Sequence, residues 1–307
     1  MTAKILTKRR TVATFAGGAL LALSPLVTQT AVAAEPELTV AAKGAALLDG
    51  DSGKTLYGKD ADTARPMAST TKIMTAYVVL DKGADLDLQV PVKQEYRDYV
   101  TEHSTSTADL QTGDKLTVRQ LLYAALLPSG ADAGFALADT FGTGDTIAAR
   151  TESFVSQMNE KAEELGLPKT EFDSFDGTGS DSSTPTELAE LARRAMENDT
   201  FRTVVATKQY EAEAPAANGR TRYYTWNNTN QLLGSYDGVI GIKTGSTTPA
   251  GECLVFAATR GDKTLVGTVL NSTDRYGDAA KLLDYGFGSD IAKNMKLRKL
   301  PANSQRD

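Results

Sequence analysis

The sequence predicts an α/β (α+β) fold in which one antiparallel sheet, built from N- and C-terminal segments and flanked by helices, carries an all-helical insertion. Three observations support this. Strand-like runs cluster at the two ends of the chain, at 45–48 and 54–57 and again between 238 and 270. Apolar residues at helical spacing dominate the middle, roughly 85–205. The short connection Arg260-Gly-Asp-Lys263 joins two apolar runs and favours antiparallel neighbours.

In chain order, the first segment reads as an export signal. Lys4, Lys8, Arg9 and Arg10 precede an uncharged apolar run, 12–27, and Ala31-Val-Ala33 offers a small-residue cleavage site, giving a signal peptide over 1–34. Arg9-Arg10 would also suit a twin-arginine route, although the flanking residues support it poorly. Asp49-Gly-Asp-Ser-Gly53 joins the first two strands. It opens like a calcium loop, but its twelfth position is Asp60 and its flanks read as strands, so a hairpin turn is expected. Ile73, Tyr77 and Leu80 recur at helical spacing over 69–81. Further helices are expected over 116–127 (Thr117 as cap, Pro128 as stop), 131–141, 145–165 and 185–198, the last capped by Thr184 with Pro185 in its first turn. A strand over 238–242 leads to Lys243-Thr-Gly245, strands follow at 253–259 and 264–270, and a helix closes the sheet region at Arg275–Phe287. The basic tail, 288–307, is expected to be solvated rather than a membrane anchor.

Composition narrows the function. The 307 residues carry a formal charge of −6, and removing the signal, with its four basic and no acidic residues, takes this to −10. A chain this acidic is not expected to bind nucleic acid or an anionic membrane by charge. No later segment is long and apolar enough to span a bilayer. Cys253, the lone cysteine, cannot form an intramolecular disulfide and lies in a run that reads as a buried strand. His103 is the lone histidine, in a polar stretch that reads as a solvated loop, which disfavours a Ser-His-Asp hydrolase. Cys and His are too few for a zinc cluster, and no metal or cofactor is expected.

The chemistry rests on three short motifs. In Ser69-Thr-Thr-Lys72 the serine sits at or just inside a helix N-terminus, and residues three apart share a face, so Lys72 lies beside the Ser69 hydroxyl. A lysine amine can take the serine proton only if its pKa falls from ~10.4 toward neutrality, a shift of about 4 kcal/mol that burial or a second cation must supply. The second motif is Leu126-Leu-Pro-Ser129-Gly-Ala131, a loop between two helices that can hold the Ser129 hydroxyl opposite Ser69. The third is Lys243-Thr244-Gly245, at the end of a strand. There Lys243 and Thr244 suit a substrate carboxylate, Gly245 lets another backbone approach, and the N–H of Ser246 can join that of Ser69 as an oxyanion donor. Alone, each motif has an ordinary reading: an N-cap, a turn and an exposed strand end. In this order they form the trio shared by penicillin-binding proteins and class A β-lactamases.

The chain resembles the low-molecular-mass penicillin-binding proteins of the serine D-alanyl-D-alanine carboxypeptidase/transpeptidase family, most of all the compact actinobacterial type. The resemblance runs through the mature chain to about Phe287 and includes Ser-Thr-Thr-Lys-Ile-Met-Thr-Ala, Leu-Leu-Pro-Ser-Gly, Phe-Asp-Ser-Phe-Asp-Gly and Lys-Thr-Gly-Ser. It implies a β-lactamase/DD-peptidase-like fold, with a catalytic domain over 35–287 that includes the helical insertion. It implies that Ser69 is acylated by the penultimate D-Ala carbonyl of a peptidoglycan stem peptide, with D-Ala leaving. Lys72 would accept the serine proton, Ser129 would relay it toward the leaving amine, and Lys243 and Thr244 would bind the terminal carboxylate. The implied setting is a secreted, wall-associated enzyme of peptidoglycan synthesis that β-lactam antibiotics inhibit covalently.

One departure stands out: the second motif commonly ends in Asn in this family, and here the residue is Ala131. The loss of an amide there suggests lower activity, or acyl transfer favoured over hydrolysis. Two alternatives remain beside the peptidase. A class A β-lactamase would carry a Glu-x-x-Leu-Asn pattern, whereas 172–185 has Asp173, Asp176 and Asp181 without it. The other is a catalytically weak module that only grips peptidoglycan.

Overall fold

The computed structural model describes residues 38–302, together with 1, 2, 13 and 304, so nearly all of the expected signal segment lies outside the described residues. The chain divides into two units, Met1–Glu37 and Leu38–Asp307, and the fold is that of the second. It opens with the hairpin β1 (Gly44–Asp49) and β2 (Thr55–Lys59), then a short β3 (Arg65–Pro66) and helix α1 (Lys72–Asp81). Next come β4 (Gln89–Pro91), α2 (Gln94–His103), β5 (Lys115–Thr117), α3 (Val118–Leu126), α4 (Ala131–Phe141) and α5 (Ile147–Glu164). After β6 (Ser182–Ser183), α6 (Pro185–Ala195) and α7 (Asp199–Ala206), a second hairpin forms from β7 (Gln209–Pro215) and β8 (Thr221–Asn227). The chain finishes with β9 (Val239–Thr247), β10 (Gly251–Arg260), β11 (Lys263–Ser272) and α8 (Arg275–Phe287).

The main sheet has the order β2-β1-β11-β10-β9 and every pairing in it is antiparallel, so strands from both ends of the chain share one sheet as the sequence predicts. β10 shows how the sheet holds two cores. Successive side chains point to opposite faces. Cys253, Val255 and Ala257 join the core that contains the helical region, while Leu254, Phe256 and Ala258 join the one under α8. Both faces are covered, which is why this strand reads as an unbroken apolar run. Each large apolar side chain so buried contributes about 1.5–3 kcal/mol.

In the helical region α4 is central, burying Ala133, Ala136, Leu137 and Ala138; small residues let α3 and α5 pack closely. Helix starts follow the expected chemistry. Thr117 and Gln120 form a reciprocal capping box on α3, and the Thr184 hydroxyl accepts from Glu187 N ahead of Pro185 on α6.

Three expectations need correction, and one helix is new. The helix expected over 185–198 stops at Ala195, because the Asn198 side chain accepts from Thr200 N and Phe201 N and starts α7 instead. Helix α2 was not foreseen; Tyr96 is its one buried residue, so it shows no apolar stripe. The strand expected to end before Lys243 runs on to Thr247, so Lys243-Thr244-Gly245 lies inside β9 rather than at its end. The tail leaves Lys293, Lys296 and Lys299 exposed as expected, but it is anchored at Arg298, whose guanidinium donates to the carbonyls of Asn228, Asn230 and Leu233.

Candidate active site

Ser69 lies in a single 3-10 turn, Ala68–Thr71, that runs directly into α1 at Lys72. The turn is closed by the Thr70 hydroxyl, which donates to Met67 O at 2.6 Å. Lys72 is fully buried, and its Nζ donates to Ser69 Oγ at 3.1 Å and to the Asp176 carbonyl at 2.9 Å. The helical spacing therefore delivers the serine–lysine pair that the sequence predicts.

The Asp176 carbonyl belongs to a loop between α5 and β6 that packs backbone to backbone on the Ser69 turn. Gly177 has φ +93°, and a Cβ there would lie 2.1 Å from Ala68 O, so no side chain fits. The Thr75 hydroxyl on α1 donates to Phe175 O at 2.5 Å and fixes the loop one residue earlier. The Asp176 carboxylate is buried; Oδ1 accepts from Tyr99 OH at 3.1 Å and from the Thr178 hydroxyl at 2.7 Å, and Oδ2 has no hydrogen-bond partner among the described residues. Burial, with the Asp176 charge beside it, pushes the Tyr99 phenol up, so it remains a donor. Asp181 ties the loop at its other end, accepting from Asp173 N, Ser174 N and Ser174 Oγ. Burial pushes its carboxyl up to about 6.

β9 forms the facing wall. A Cβ on Gly245 would sit 2.9 Å from Ser69 N and 3.0 Å from Thr70 N, so glycine is what lets this strand approach the Ser69 backbone. Lys243 is buried and its Nζ donates to Thr244 O at 2.8 Å. The Thr244 hydroxyl lies 2.6 Å from that of Thr229, whose backbone N donates to Leu127 O. Thr229 thus connects β9 to the loop that carries Ser129.

Ser129 has φ +68°, a left-handed conformation uncommon for a residue with a side chain, and its Oγ is buried with no hydrogen-bond partner among the described residues. Two residues on, Ala131 N donates to Ser106 O. The Asp132 carboxylate accepts from Ala108 N, Leu110 N and the Thr107 hydroxyl, which pins the 104–110 segment over the start of α4; burial raises its pKa. Lys72 Cε, the Phe175 ring and Asp176 Cβ surround Gly134 one turn along this helix.

Between these walls lies a cleft of about 510 Å³, lined by Ser69, Ser106, Gly177, Thr178 and Ser246 among others. Lys72 and Gly245 each meet Ser69, and Ser246 lines the cleft beside it. Lys243 and Thr244 follow along the same strand, and Ser129 is placed by the start of α4. Sequence reasoning gave no role to Tyr99, Asp176, Thr178 or Thr229; the Asp-Gly pair at 176–177 was the visible signal. His103 corrects an expectation: it ends α2 rather than sitting in a loop, lines the cleft, and its ring lies 4.3 Å from that of Tyr99. Cys253 is buried in β10, where desolvation pushes its thiol up to about 11, a packing residue rather than a nucleophile. Among the described residues no group of three or more His, Cys, Asp or Glu could hold a metal ion.

Comparison with known proteins places this geometry. Residues 28–274 match the family model described as D-alanyl-D-alanine carboxypeptidase, peptidase family S11. The chain is 52% identical over 277 residues to the D-alanyl-D-alanine carboxypeptidase of Streptomyces sp. strain K15, covering 88% of this chain and 95% of that protein. It is 37% identical over 249 residues to D-alanyl-D-alanine carboxypeptidase DacB2 of Mycobacterium tuberculosis, covering 78% and 80%. The crystal structure of the Streptomyces K15 DD-transpeptidase superposes with a TM-score of 0.80 at 53% identity, covering 81% of this chain and 98% of that one.

Proposed function

The chain belongs to the D-alanyl-D-alanine carboxypeptidase family of serine peptidases, and from that premise we propose that Ser69 is acylated by the D-alanyl-D-alanine end of a peptidoglycan stem peptide. The observation that carries the reading is Lys72 Nζ at 3.1 Å from Ser69 Oγ in a fully buried setting. Burial raises the cost of an ammonium at this position, and a general base must be the free amine. Ser69 Oγ attacks the penultimate D-Ala carbonyl carbon and its proton passes to Lys72. The C–N bond then breaks, and the proton passes by way of Ser129 to the departing D-Ala nitrogen. The N–H groups of Ser69 and Ser246 hold the oxyanion. Lys243 and Thr244 hold the terminal carboxylate, and Gly245 keeps that wall close. The ester is resolved by water or by an amine.

β-Lactams acylate the same serine and release it slowly. The enzyme is exported through the 1–34 segment and works at the cell wall; no helix among the described residues is long and apolar enough to cross a membrane. Incubation with benzylpenicillin followed by peptide mass mapping tests the reading. The adduct is expected on Ser69, absent in Ser69→Ala, and formed about 10²–10⁴-fold more slowly in Lys72→Met. An adduct on another residue, or a Lys72→Met protein as fast as the parent, overturns it.

A further inference from the structure

We propose that a groove beside the catalytic cleft is the entry site for the second substrate of acyl transfer, an aliphatic amine presented as its ammonium by another peptidoglycan strand. The proposal rests on the acyl-enzyme reading above. The groove, about 520 Å³, lies between the end of α2, the face of α5 from Ala148 to Asn159 and the loop that carries Asp176. It adjoins the cleft, and His103 and Thr178 line both. Its lining carboxylates are Glu152 and Asp173, and no lysine or arginine lines it. Both carboxylates are exposed, and that of Glu152 makes no hydrogen bond or ion pair among the described residues. Tyr99 and Phe175, with ring centroids 5.2 Å apart, supply aromatic surface. An ammonium on a methylene stem matches this combination, the stem lying on the rings and the charge meeting the carboxylates.

The arrangement around Ser69 favours the acceptor over the donor as occupant. The acylating peptide needs β9, where Gly245 abuts the Ser69 backbone and Ser246 lines the cleft. The attacking amine needs a separate approach to the ester carbon. The groove supplies it from the side of Thr178, whose hydroxyl is bonded to the Asp176 carboxylate behind it. Having released one proton to solvent, the amine nitrogen bonds to the ester carbon. The C–Oγ bond breaks, and the second N–H proton returns through Lys72 to Ser69 Oγ.

The test uses the purified full chain, a diacyl-D-Ala-D-Ala donor and glycinamide as acceptor. The ratio of amide to hydrolysed product is followed against glycinamide concentration for the parent, Glu152→Gln and Glu152→Lys, with penicillin acylation as the folding control. The half-saturating glycinamide concentration is expected to rise about threefold in Glu152→Gln and about tenfold in Glu152→Lys, and to rise less at high ionic strength. Equal values in all three proteins, or a parent that transfers to no amine, overturn the proposal. A second arm compares a donor bearing a free side-chain ammonium with its acetylated form. If Glu152→Lys raises KM for the first donor alone, the groove belongs to the donor and the proposal is overturned. A parent that penicillin does not acylate strikes the premise instead.

Discussion

The backbone carbonyl of Asp176 accepts a 2.9 Å hydrogen bond from Lys72 Nζ, so a loop 104 residues downstream positions the amine beside Ser69. Because this contact uses a backbone atom, it depends on what orients the loop rather than on the identity of residue 176. The Tyr99 hydroxyl is one such restraint, 3.1 Å from Asp176 Oδ1 and 2.6 Å from the Thr178 hydroxyl. Tyr99→Phe keeps the ring and removes these bonds. It is expected to slow penicillin acylation about threefold to tenfold while costing about 1–2 kcal/mol of stability. Stopped-flow acylation beside urea unfolding measures both; unchanged acylation would show that the phenol does not orient the carbonyl.

Gly245→Ala tests the close approach of β9. Its Cβ would fall 2.9 Å from Ser69 N, and the facing atoms are backbone, which cannot swing aside as a side chain would. The strand must move off the serine turn by a few tenths of an ångström. kcat/KM on a D-Ala-D-Ala peptide is expected to drop at least about tenfold, a larger effect than the loss of stability explains. A variant with parental kinetics would remove Gly245 from the site's geometry.

Local signals made much of this legible. The Ser69–Lys72 spacing needs only one helical turn, the β10–β11 connection needs only a short loop, and α8 is bounded at Arg275 and Phe287 as its apolar spacing indicates. What escaped notice depends on contacts distant in sequence. α2 is polar along most of its length and is held by its tertiary setting, including Tyr96 against Phe135 and the Tyr96 hydroxyl on Asp139. The Asp176 carbonyl has no side-chain signature at all. Thr229 lies in an Asn-rich stretch that reads as a loop, and nothing local reveals that its hydroxyl meets that of Thr244.

Thr229→Val accordingly removes the partner of a hydroxyl assigned to the substrate carboxylate. With Thr244 Oγ1 free to rotate and its neighbour now apolar, KM for a D-Ala-D-Ala peptide is expected to rise about tenfold with kcat less affected. Steady-state kinetics on a peptide and on its C-terminal amide separate the effects. A loss that is equal on both would mean that the carboxylate is not what Thr244 reads.

Ala131 occupies the first position of α4, fully buried, with its N–H committed to Ser106 O. Ala131→Asn places an amide next to the Ser129 loop, where it can supply the polar partner that Ser129 Oγ lacks. Hydrolysis of the acyl-enzyme is expected to increase severalfold relative to transfer onto glycinamide. Identical partitioning in the two proteins would show that the missing amide does not set the balance.

Asp181 makes the stability of the site's loop pH-dependent. Its carboxyl is raised to about 6 by burial, against about 3.9 in an unfolded chain. Between these values the folded protein binds more protons than the unfolded one, so stability falls as pH rises through the window and the loss is complete above about pH 7. Two pKa units correspond to about 2–3 kcal/mol. Asp181→Asn abolishes the titration and retains an acceptor for the backbone N–H groups of Asp173 and Ser174, at the cost of the bond from the Ser174 hydroxyl. The variant is therefore expected to be the less stable protein near pH 4 and to gain about 2–3 kcal/mol on the parent by pH 7.5, measured by urea unfolding across that range. A stability difference that stays flat from pH 4 to 7.5 would mean that Asp181 keeps an ordinary carboxylate pKa in the folded loop.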